Sequence, residues 1–256
     1  IDGGKAFDWG RTSEDYAKFR DIYPAAFYES ITERGFGVRG QRVLDLGTGT
    51  GVLPRNLYPL GAKWCGTDIS PEQIAQAKQL AAAADMDIDF RTASAETTDY
   101  PDGTFDVVTA CQCYWYFDPP KAYPNIARML KPGGKLVLLY MGWLAGEDSI
   151  ANASEELVLK YNPAWTGGGD MRHLITPPDE ALKTFDITEQ TMFDLPVHFT
   201  KPAWHGRMRA CRGVGASLDL AALAAWDAEH RAVLDRIAPD EFDILHYAAI
   251  TVLTKK

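Results

Sequence analysis

The most constraining feature of the sequence is the run QRVLDLGTGTG at residues 41–51. Residues 43–46 are apolar apart from Asp45, which is typical of a short buried strand. Glycine and threonine then alternate along a loop, which consists of Gly47, Thr48, Gly49, Thr50 and Gly51. Because glycine has no Cβ and reaches positive φ at little cost, such a loop lets the backbone approach a ligand closely. A helix beginning at Val52 would add its free N–H groups to the same loop.

A second apolar strand is predicted at 63–67, and it ends in Asp68. Strand, glycine loop, helix, strand and terminal acid in this order are typical of a nucleotide-binding unit, although a plain turn in an α/β domain is the alternative. A carboxylate at this position has two oxygens, which can accept from both hydroxyls of a ribose. Its alternative role is to complement the dipole of the following helix. Ser70 is predicted to cap that helix, which leaves Asp68 for a ligand.

The spacing of the glycines separates two classes of ligand. A dinucleotide site has the pattern G-x-G-x-x-G, in which the third glycine seats the helix against the strand. Here the spacing is G-x-G-x-G, and Val52 stands where the third glycine belongs. The loop therefore favours a phosphate-free nucleoside over a pyrophosphate. At these residues the chain resembles the class I S-adenosylmethionine-dependent methyltransferases, whose first motif is close to VLDLGTGTG.

Strand and helix patterns alternate along the chain, which predicts a parallel sheet covered by helices. Strands are predicted at about 42–46, 63–67, 88–93, 105–110, 135–140, 187–193 (extending towards 199) and 242–253. Helices are predicted at about 15–23, 25–34, from 52, 71–84, 124–130, 202–211 and 218–237. The resemblance implies an α/β fold with a doubly wound, Rossmann-like, seven-stranded sheet that is mostly parallel, with an antiparallel last strand.

The resemblance also implies one methyltransferase domain over residues 1–256. Its expected parts are a helical N-terminal cap at 1–40, a cofactor-binding core at 41–140, and lid or substrate insertions at 141–183 and 202–237. The motifs that carry the resemblance all lie within about 40–140, where the SAE run at 94–96 and the LKPGG run at 130–134 accompany the glycine loop.

S-adenosylmethionine is the cofactor that the resemblance implies, with S-adenosylhomocysteine as product. The loop backbone and Asp45 would hold its amino-acid end, although Asp45 capping a neighbouring loop is an open alternative. Asp68 would hold the ribose, and the third motif would read the adenine. Ser94 stands where many relatives carry an acid, and a plain polar loop is the alternative there. The expected cofactor-binding set is Tyr16, Arg20, Asp45, Gly47, Thr48, Gly49, Gly51, Asp68, Ile69, Ser94, Ala95, Glu96, Cys111 and Gln112.

Tyr16 and Arg20 enter this set because they lie four residues apart on one face of the predicted N-terminal helix. In many small-molecule relatives such a helix closes over the cofactor carboxylate, and a guanidinium suits a carboxylate geometrically. A surface ion pair is the alternative for Arg20. Cys111 and Gln112 enter because they leave the fourth strand at its carboxyl end, where doubly wound sheets bind ligands.

The acceptor side is represented only by candidates. Tyr114 and Trp115 belong to four consecutive aromatic residues after the fourth strand, and the alternative is that they are core. Further candidates for an acceptor pocket are Tyr140, Trp143, Trp165, His173, Trp204, His205 and Arg207. The basic stretch at 204–212 hints at an anionic acceptor, and a solvated helix face is the alternative. No catalytic residue is assigned, and a general base would come from Tyr114, His173 or His205.

Composition excludes other classes of partner. The net charge of −9 argues against a nucleic-acid backbone as the main partner. The DPP run at 118–120 lies beyond the fourth strand and lacks the aromatic residue of nucleic-acid amino methyltransferases, so that identification is rejected. No apolar stretch approaches the ~20 residues of a membrane span, and no signal peptide is recognised. Four cysteines without zinc spacing predict free thiols in the cytoplasm and no metal.

The resemblance implies transfer of a methyl group from S-adenosylmethionine to a small molecule. One alternative is a non-catalytic regulatory protein that binds the same cofactor. An NAD(P)-dependent oxidoreductase is disfavoured by Val52 and by the lack of a second dinucleotide-binding half. The pattern of residues does not identify the acceptor atom or an oligomeric state.

Overall fold

Seven strands form a single sheet in the computed structural model, which describes residues 2–4, 6–12, 18–19 and 22–256. In chain order they are β1 Arg42–Leu46, β2 Lys63–Asp68, β3 Asp89–Thr92, β4 Phe105–Cys111, β5 Leu130–Trp143, β6 Phe185–Thr200 and β7 Glu241–Lys255. Their order across the sheet is β3-β2-β1-β4-β5-β7-β6, and the sheet is mostly parallel with antiparallel last strands. The predicted fold class is therefore confirmed.

Eight α-helices of the described chain connect or flank these strands. They are α1 Ala25–Thr32, α2 Val52–Leu57, α3 Pro71–Ala83, α4 Pro119–Met129, α5 Ser149–Tyr161, α6 Asp179–Thr184, α7 Lys201–Arg209 and α8 Leu220–Ile237. Short 3-10 helices occur at Asp2–Gly4, Trp9–Thr12, Tyr58–Leu60 and Tyr114–Tyr116. The helix predicted at about 15–23 falls mostly on residues outside the described set.

Two predicted boundaries around the fourth helix were wrong. Helix α4 begins at Pro119 rather than near 124, because Pro119 and Pro120 occupy the first helical positions, where a missing N–H costs nothing. Pro124, at the first position of the predicted helix, lies inside the observed one. Strand β5 begins directly after α4 and is longer at both ends than the predicted 135–140.

The irregular region expected at 141–183 contains two helices that the sequence reading missed. Asp148 begins α5, because its carboxylate accepts the N–H groups of Ile150 and Ala151, both at 3.0 Å. Helix α5 buries Ala151, Leu157 and Val158 on one face, and α6 is a short helix before β6. The high density of Trp, Gly and Pro on either side of α5 hid its helical periodicity.

The register of the sheet aligns the strand ends that carry the motifs. In β1, Asp45 lies directly opposite Thr109 of β4, and Leu46 lies opposite Thr67 of β2. Because β1, β2 and β4 are parallel, their carboxyl ends meet at one edge of the sheet. The glycine loop, Asp68 and the residues after Cys111 leave the sheet at that edge.

The chain divides into two compact units. Unit 1 comprises residues 1–24, 142–172 and 194–247, and unit 2 comprises residues 25–141, 173–193 and 248–256. The predicted insertions at 141–183 and 202–237 do not coincide with the segments of either unit. The core of unit 2 includes a cluster in which Ile74, Ala77 and Ala81 of α3 pack on Phe90 of β3. Unit 1 packs around Trp204 and Trp226, whose side chains are fully buried.

Two further findings concern the expected setting of the protein. The four cysteines are free thiols, as predicted. Among the residues that the structure describes, no helix has both the length and the apolar character needed to cross a bilayer.

Candidate functional site

The glycine loop leaves β1 and is fixed to β2 by a backbone hydrogen bond, in which Thr48 N–H donates to Thr67 C=O at 2.9 Å. Three glycines of the loop have positive φ, at 62° for Gly47, 56° for Gly49 and 74° for Gly51. A Cβ on Gly47 would lie 2.7 Å from Cys113, and one on Gly51 would lie 2.5 Å from the ring of Phe90. Both the backbone conformation and the lack of space therefore require glycine at these two positions.

Asp68, at the end of β2, accepts hydrogen bonds both from the glycine loop and from the start of the next helix. Its Oδ2 accepts the N–H of Gly49 at 2.9 Å, and its Oδ1 accepts the N–H of Ser70 at 2.9 Å. Asp68 is therefore engaged locally, and its role towards a ligand stays a prediction. A carboxylate has about four acceptor positions, so about two remain for hydroxyl donors. Ile69 next to it is 66% exposed.

Helix α3 starts as predicted at Ser70, whose hydroxyl accepts the N–H of Gln73 at 3.3 Å. The reciprocal half of the capping box differs, because the N–H of Ser70 goes to Asp68. Burial raises the pKa of Asp68, and the backbone N–H groups of Ser70 and Gly49 partly offset this rise. The Asp68 carboxylate therefore accepts an N–H at the start of helix α3 and also holds the glycine loop in place.

Asp45 is buried within the sheet, where Thr109 donates to its Oδ1 at 2.6 Å. Burial raises the pKa of Asp45 to about 7, although the hydrogen bond from Thr109 favours the ionised form. A residue of the neighbouring strand thus holds this carboxylate. Whether Asp45 also positions a cofactor stays a prediction.

The loop after β3 is fixed by its own side chains and by α4. The backbone N–H of Thr97 donates to Ser94 Oγ at 3.3 Å, and Glu96 Oε1 accepts the N–H of Asp118 at 2.7 Å. Burial raises the pKa of Glu96, but the hydrogen bonds from the Asp118 N–H and from Ser94 together outweigh it, so the pKa is lowered. Asn125 donates to the carbonyl of Ala95 at 3.1 Å and so anchors the same loop. The sequence reading missed Asn125, because an asparagine inside a helix carries no motif.

The residues after β4 are held in an unusual conformation. Gln112 has a φ of 56°, a left-handed value that is uncommon for a residue other than glycine. Such outliers persist where the surroundings enforce them, and they cluster at functional sites. Cys113 follows and donates to the carbonyl of Leu46 at 3.0 Å, which brings the end of β4 against the glycine loop. Cys111 itself is half-buried.

An aromatic wall, defined as Tyr114, Trp115, Tyr140 and His173, lies in the same unit as the loop. The rings follow one another with centroid distances of 5.0 Å from Tyr114 to Trp115, 5.7 Å from Trp115 to Tyr140 and 5.3 Å from Tyr140 to His173. Trp115 keeps 38% of its surface exposed. The structure therefore brings together two residues of the YWYF run with Tyr140 and His173, which are distant in sequence.

The remaining acceptor candidates belong to unit 1 and are buried. Trp143 donates to Glu155 at 2.6 Å, Trp204 donates to Ser154 at 2.9 Å, and the Arg207 guanidinium lies 4.8 Å from the Trp143 ring centroid. The alternative interpretation of residues 204–212 as a solvated helix face does not fit α7. This helix buries Trp204, His205, Gly206, Arg207 and Met208. Trp165 is also buried. Tyr16 and Arg20 lie outside the described residues.

Comparisons with known proteins agree with this geometry. Residues 44–138 match the family described as "Methyltransferase domain". A demethylmenaquinone methyltransferase of Thermus thermophilus is 40% identical over 102 residues, 39% of this chain and 46% of that protein. A ubiquinone biosynthesis O-methyltransferase of Bradyrhizobium diazoefficiens is 34% identical over 157 residues, 59% of this chain and 61% of that protein. The chain thus spans about half the length of these curated relatives.

A solved structure gives the same fold at lower identity. A geranyl diphosphate methyltransferase in complex with S-adenosylmethionine has a TM-score of 0.51 and 18% identity, and the match covers 90% of this chain and 85% of that one. At this identity the similarity concerns the fold alone.

Proposed function

We propose that this chain transfers a methyl group from S-adenosylmethionine to a small organic acceptor, because residues 44–138 match the methyltransferase-domain family. When bound, the cofactor supplies a methyl group activated by its sulfonium. The main observation in support is the hydrogen bond from Gly49 to Asp68. This bond joins the glycine loop to the carboxylate that we propose holds the ribose.

The residues at the sheet edge fit the parts of this cofactor. The remaining acceptor positions of Asp68 suit a ribose diol, and the exposed side chain of Ile69 offers an apolar surface to adenine. The loop at 47–51 would receive the amino-acid end, with Thr48 and Gly49 at its centre. Val52 is buried at the start of α2, which supports a nucleoside over a pyrophosphate.

The adenine would lie against the loop at Ser94, Ala95 and Glu96, and Cys111 and Gln112 would flank it from β4. Glu96 is engaged with α4, so its part in this proposal is to hold the loop in place. Tyr16 and Arg20 remain predictions for closing over the cofactor carboxylate.

We place the acceptor against the aromatic wall, since it lies in the same unit as the cofactor loop. Aromatic rings bind flat or apolar molecules, or a cationic centre, better than strongly hydrated anions. Orienting donor and acceptor in line supplies roughly 7–11 kcal/mol of the barrier reduction without any proton transfer. For an acceptor that must lose a proton, we propose the imidazole of His173, which belongs to this wall, as the base.

The proposed setting is an acidic cytoplasmic enzyme acting on small molecules rather than nucleic acid, on the basis of its charge of −9 and its free thiols. The alternative of a cofactor-binding regulatory protein predicts tight cofactor binding with no turnover.

The first test is titration calorimetry of the protein with S-adenosylhomocysteine and, separately, with NAD. We expect binding of the former and none of the latter, and the reverse result would exclude the proposal. Transfer of labelled methyl from S-adenosylmethionine to a panel of phenols and tertiary amines then separates an enzyme from a regulatory protein. Cofactor binding without any labelled product would favour the latter.

A further inference from the structure

Helices α7 and α8 of unit 1 line a cavity of about 560 Å³, which lies within the size range of small-molecule sites. Residues 18–19 form the rest of its described wall. The glycine loop, Asp68 and the loop at 94–96 belong to unit 2, and none of them lines this cavity. The cavity is therefore a candidate site built from other residues than those proposed to hold the cofactor.

The buried polar side chains of the wall contact each other. Asp227 accepts from Arg209 Nε at 3.1 Å and lies 3.1 Å from His205 Nε2. Only 7% of the His205 side chain and 21% of the Asp227 side chain are exposed. On its other side, His205 lies 2.9 Å from His230. Because His205 and Asp227 have their partners inside the protein, we assign neither of them to a ligand.

The accessible charged side chains of the wall are mainly cationic. Lys18 and Arg231 are exposed, and Lys201 is half-buried. Lys201 lies 3.6 Å from Asp235 and 3.4 Å from Asp240, both of which are mostly exposed. Such pairs in contact with water contribute only about 0–1 kcal/mol, so Lys201 can turn towards another anion with little loss. Among the described residues, the Arg231 guanidinium has no ion-pair partner.

The wall as a whole carries an excess of two positive charges. It contains four cationic side chains and two carboxylates, which are Lys18, Lys201, Arg209, Arg231, Asp227 and Asp235. Burial lowers the pKa of His205, so we count its ring as neutral. The contact of Arg209 with Asp227 balances one charge of each sign, which leaves three cations against Asp235. In a chain with a net charge of −9, this local excess reverses the average and favours an anion.

Apolar groups form the remainder of the wall. They are Phe19, Pro202 and Leu234, together with Gly206. A Cβ on Gly206 would lie 2.3 Å from the ring of Phe19, so this ring packs directly on the backbone of α7. A bare inorganic anion would leave these groups in contact with water, whereas a ligand with an apolar body would cover them. The cavity therefore suits an anionic group attached to an apolar body.

We propose that this cavity binds a phosphate monoester with an apolar body. Such a group carries about −1.5 to −2 charges at pH 7, which matches the excess of two positive charges in the wall. Its three terminal oxygens accept charge-assisted hydrogen bonds from Lys18, Lys201 and Arg231. The apolar body lies against Phe19 and Leu234. This site does not depend on the proposed methyl transfer, and its binding is measured on the full chain without cofactor.

The test is titration calorimetry with three probes at about pH 7.5, where a phosphate monoester is a dianion. They are 1-naphthyl phosphate, 1-naphthyl sulfate, which keeps the body but has one charge fewer, and inorganic phosphate, which lacks the body. We expect naphthyl phosphate to bind about fivefold or more tightly than either of the other probes. Equal affinity for naphthyl phosphate and either other probe would overturn the proposal, and so would absence of naphthyl phosphate binding up to about 5 mM.

Two variants with opposite expected effects localise the binding. Arg231→Gln removes an exposed cation, so naphthyl phosphate should bind about threefold or more weakly, whereas Arg236→Gln, on the same helix but outside the described wall, should leave binding unchanged. Asp235→Asn removes an exposed carboxylate of the wall, so binding should tighten about twofold or more. Circular dichroism melts of each variant report folding. Equal effects of the two arginine variants, or unchanged or weaker binding by folded Asp235→Asn, would contradict the proposal.

Discussion

The carboxylate of Asp68 accepts the backbone N–H of Gly49 at 2.9 Å, although nineteen positions separate the two residues in the chain. This bond joins the two parts of the candidate site that would hold the sugar and the amino-acid end of the cofactor. Because the parts are joined before a ligand arrives, binding loses less conformational entropy than it would with a mobile loop.

Replacing this acid should weaken cofactor binding strongly. Asp68→Asn keeps the shape but removes the charge and half of the acceptor capacity, so the dissociation constant of S-adenosylhomocysteine should rise tenfold or more, by roughly 1.5–3 kcal/mol. Titration calorimetry measures this change. Asp87→Asn, at an exposed acid before β3, is the matched control and should bind like the parent. Unchanged affinity in Asp68→Asn would remove Asp68 from the site.

A second prediction concerns Gly51, whose absent Cβ leaves room for the ring of Phe90. Gly51→Ala places a carbon 2.5 Å from that ring at a φ of 74°, so we expect a loss of more than about 2 kcal/mol in unfolding free energy. Gly103→Ala is the control, because it has a similar φ of 62° but nothing within 4 Å of the new carbon. Urea unfolding of both variants separates steric overlap from backbone strain, and equal losses would refute the steric argument.

The strand–loop–strand core was predictable because its signals are local. Three glycines at fixed spacing and a terminal acid identify the β1–β2 unit, and the capping serine identifies the start of α3. The contact of Asp68 with Gly49 was not predictable, since nothing in the sequence says which N–H a carboxylate accepts. Asn125 was missed for the same reason: its role depends on α4 passing the loop at Ala95.

The second half of the chain was read less well because its signals are not local. Trp204 and Arg207 were read as candidates for an acceptor pocket, yet they are buried among residues from elsewhere in unit 1. An aromatic or basic residue on a helix looks the same in sequence whether it faces a ligand or the core. Helix α5 was missed because tertiary packing, rather than a strong local pattern, specifies it.

The pH dependence of stability should carry the signature of Asp45. Its pKa of about 7 in the folded chain lies above the ordinary 3.8, so between these values the folded chain holds a proton that the unfolded chain has released. The stability contribution therefore falls as pH rises from about 4 to 7, by roughly 4 kcal/mol at most. Asp45→Asn should lose this component while still accepting from Thr109. Urea unfolding at pH 4.5 and 8 measures it, and parallel profiles for parent and variant would show that Asp45 does not titrate in this range.

The hydroxyl of Ser154 should be among the most costly small groups to remove from unit 1. It accepts from Trp204 Nε1 at 2.9 Å and lies 3.0 Å from His230 Nε2, and both of those side chains are fully buried. Ser154→Ala leaves the buried Trp204 N–H without its acceptor and His230 Nε2 without its partner, so the unfolding free energy should fall by about 3 kcal/mol or more. Ser217→Ala is the control, since it removes one half-buried hydroxyl bonded to the Arg212 carbonyl and should cost about 1 kcal/mol. Equal losses in the two variants would mean that water replaces the Ser154 hydroxyl, and the prediction would then be wrong.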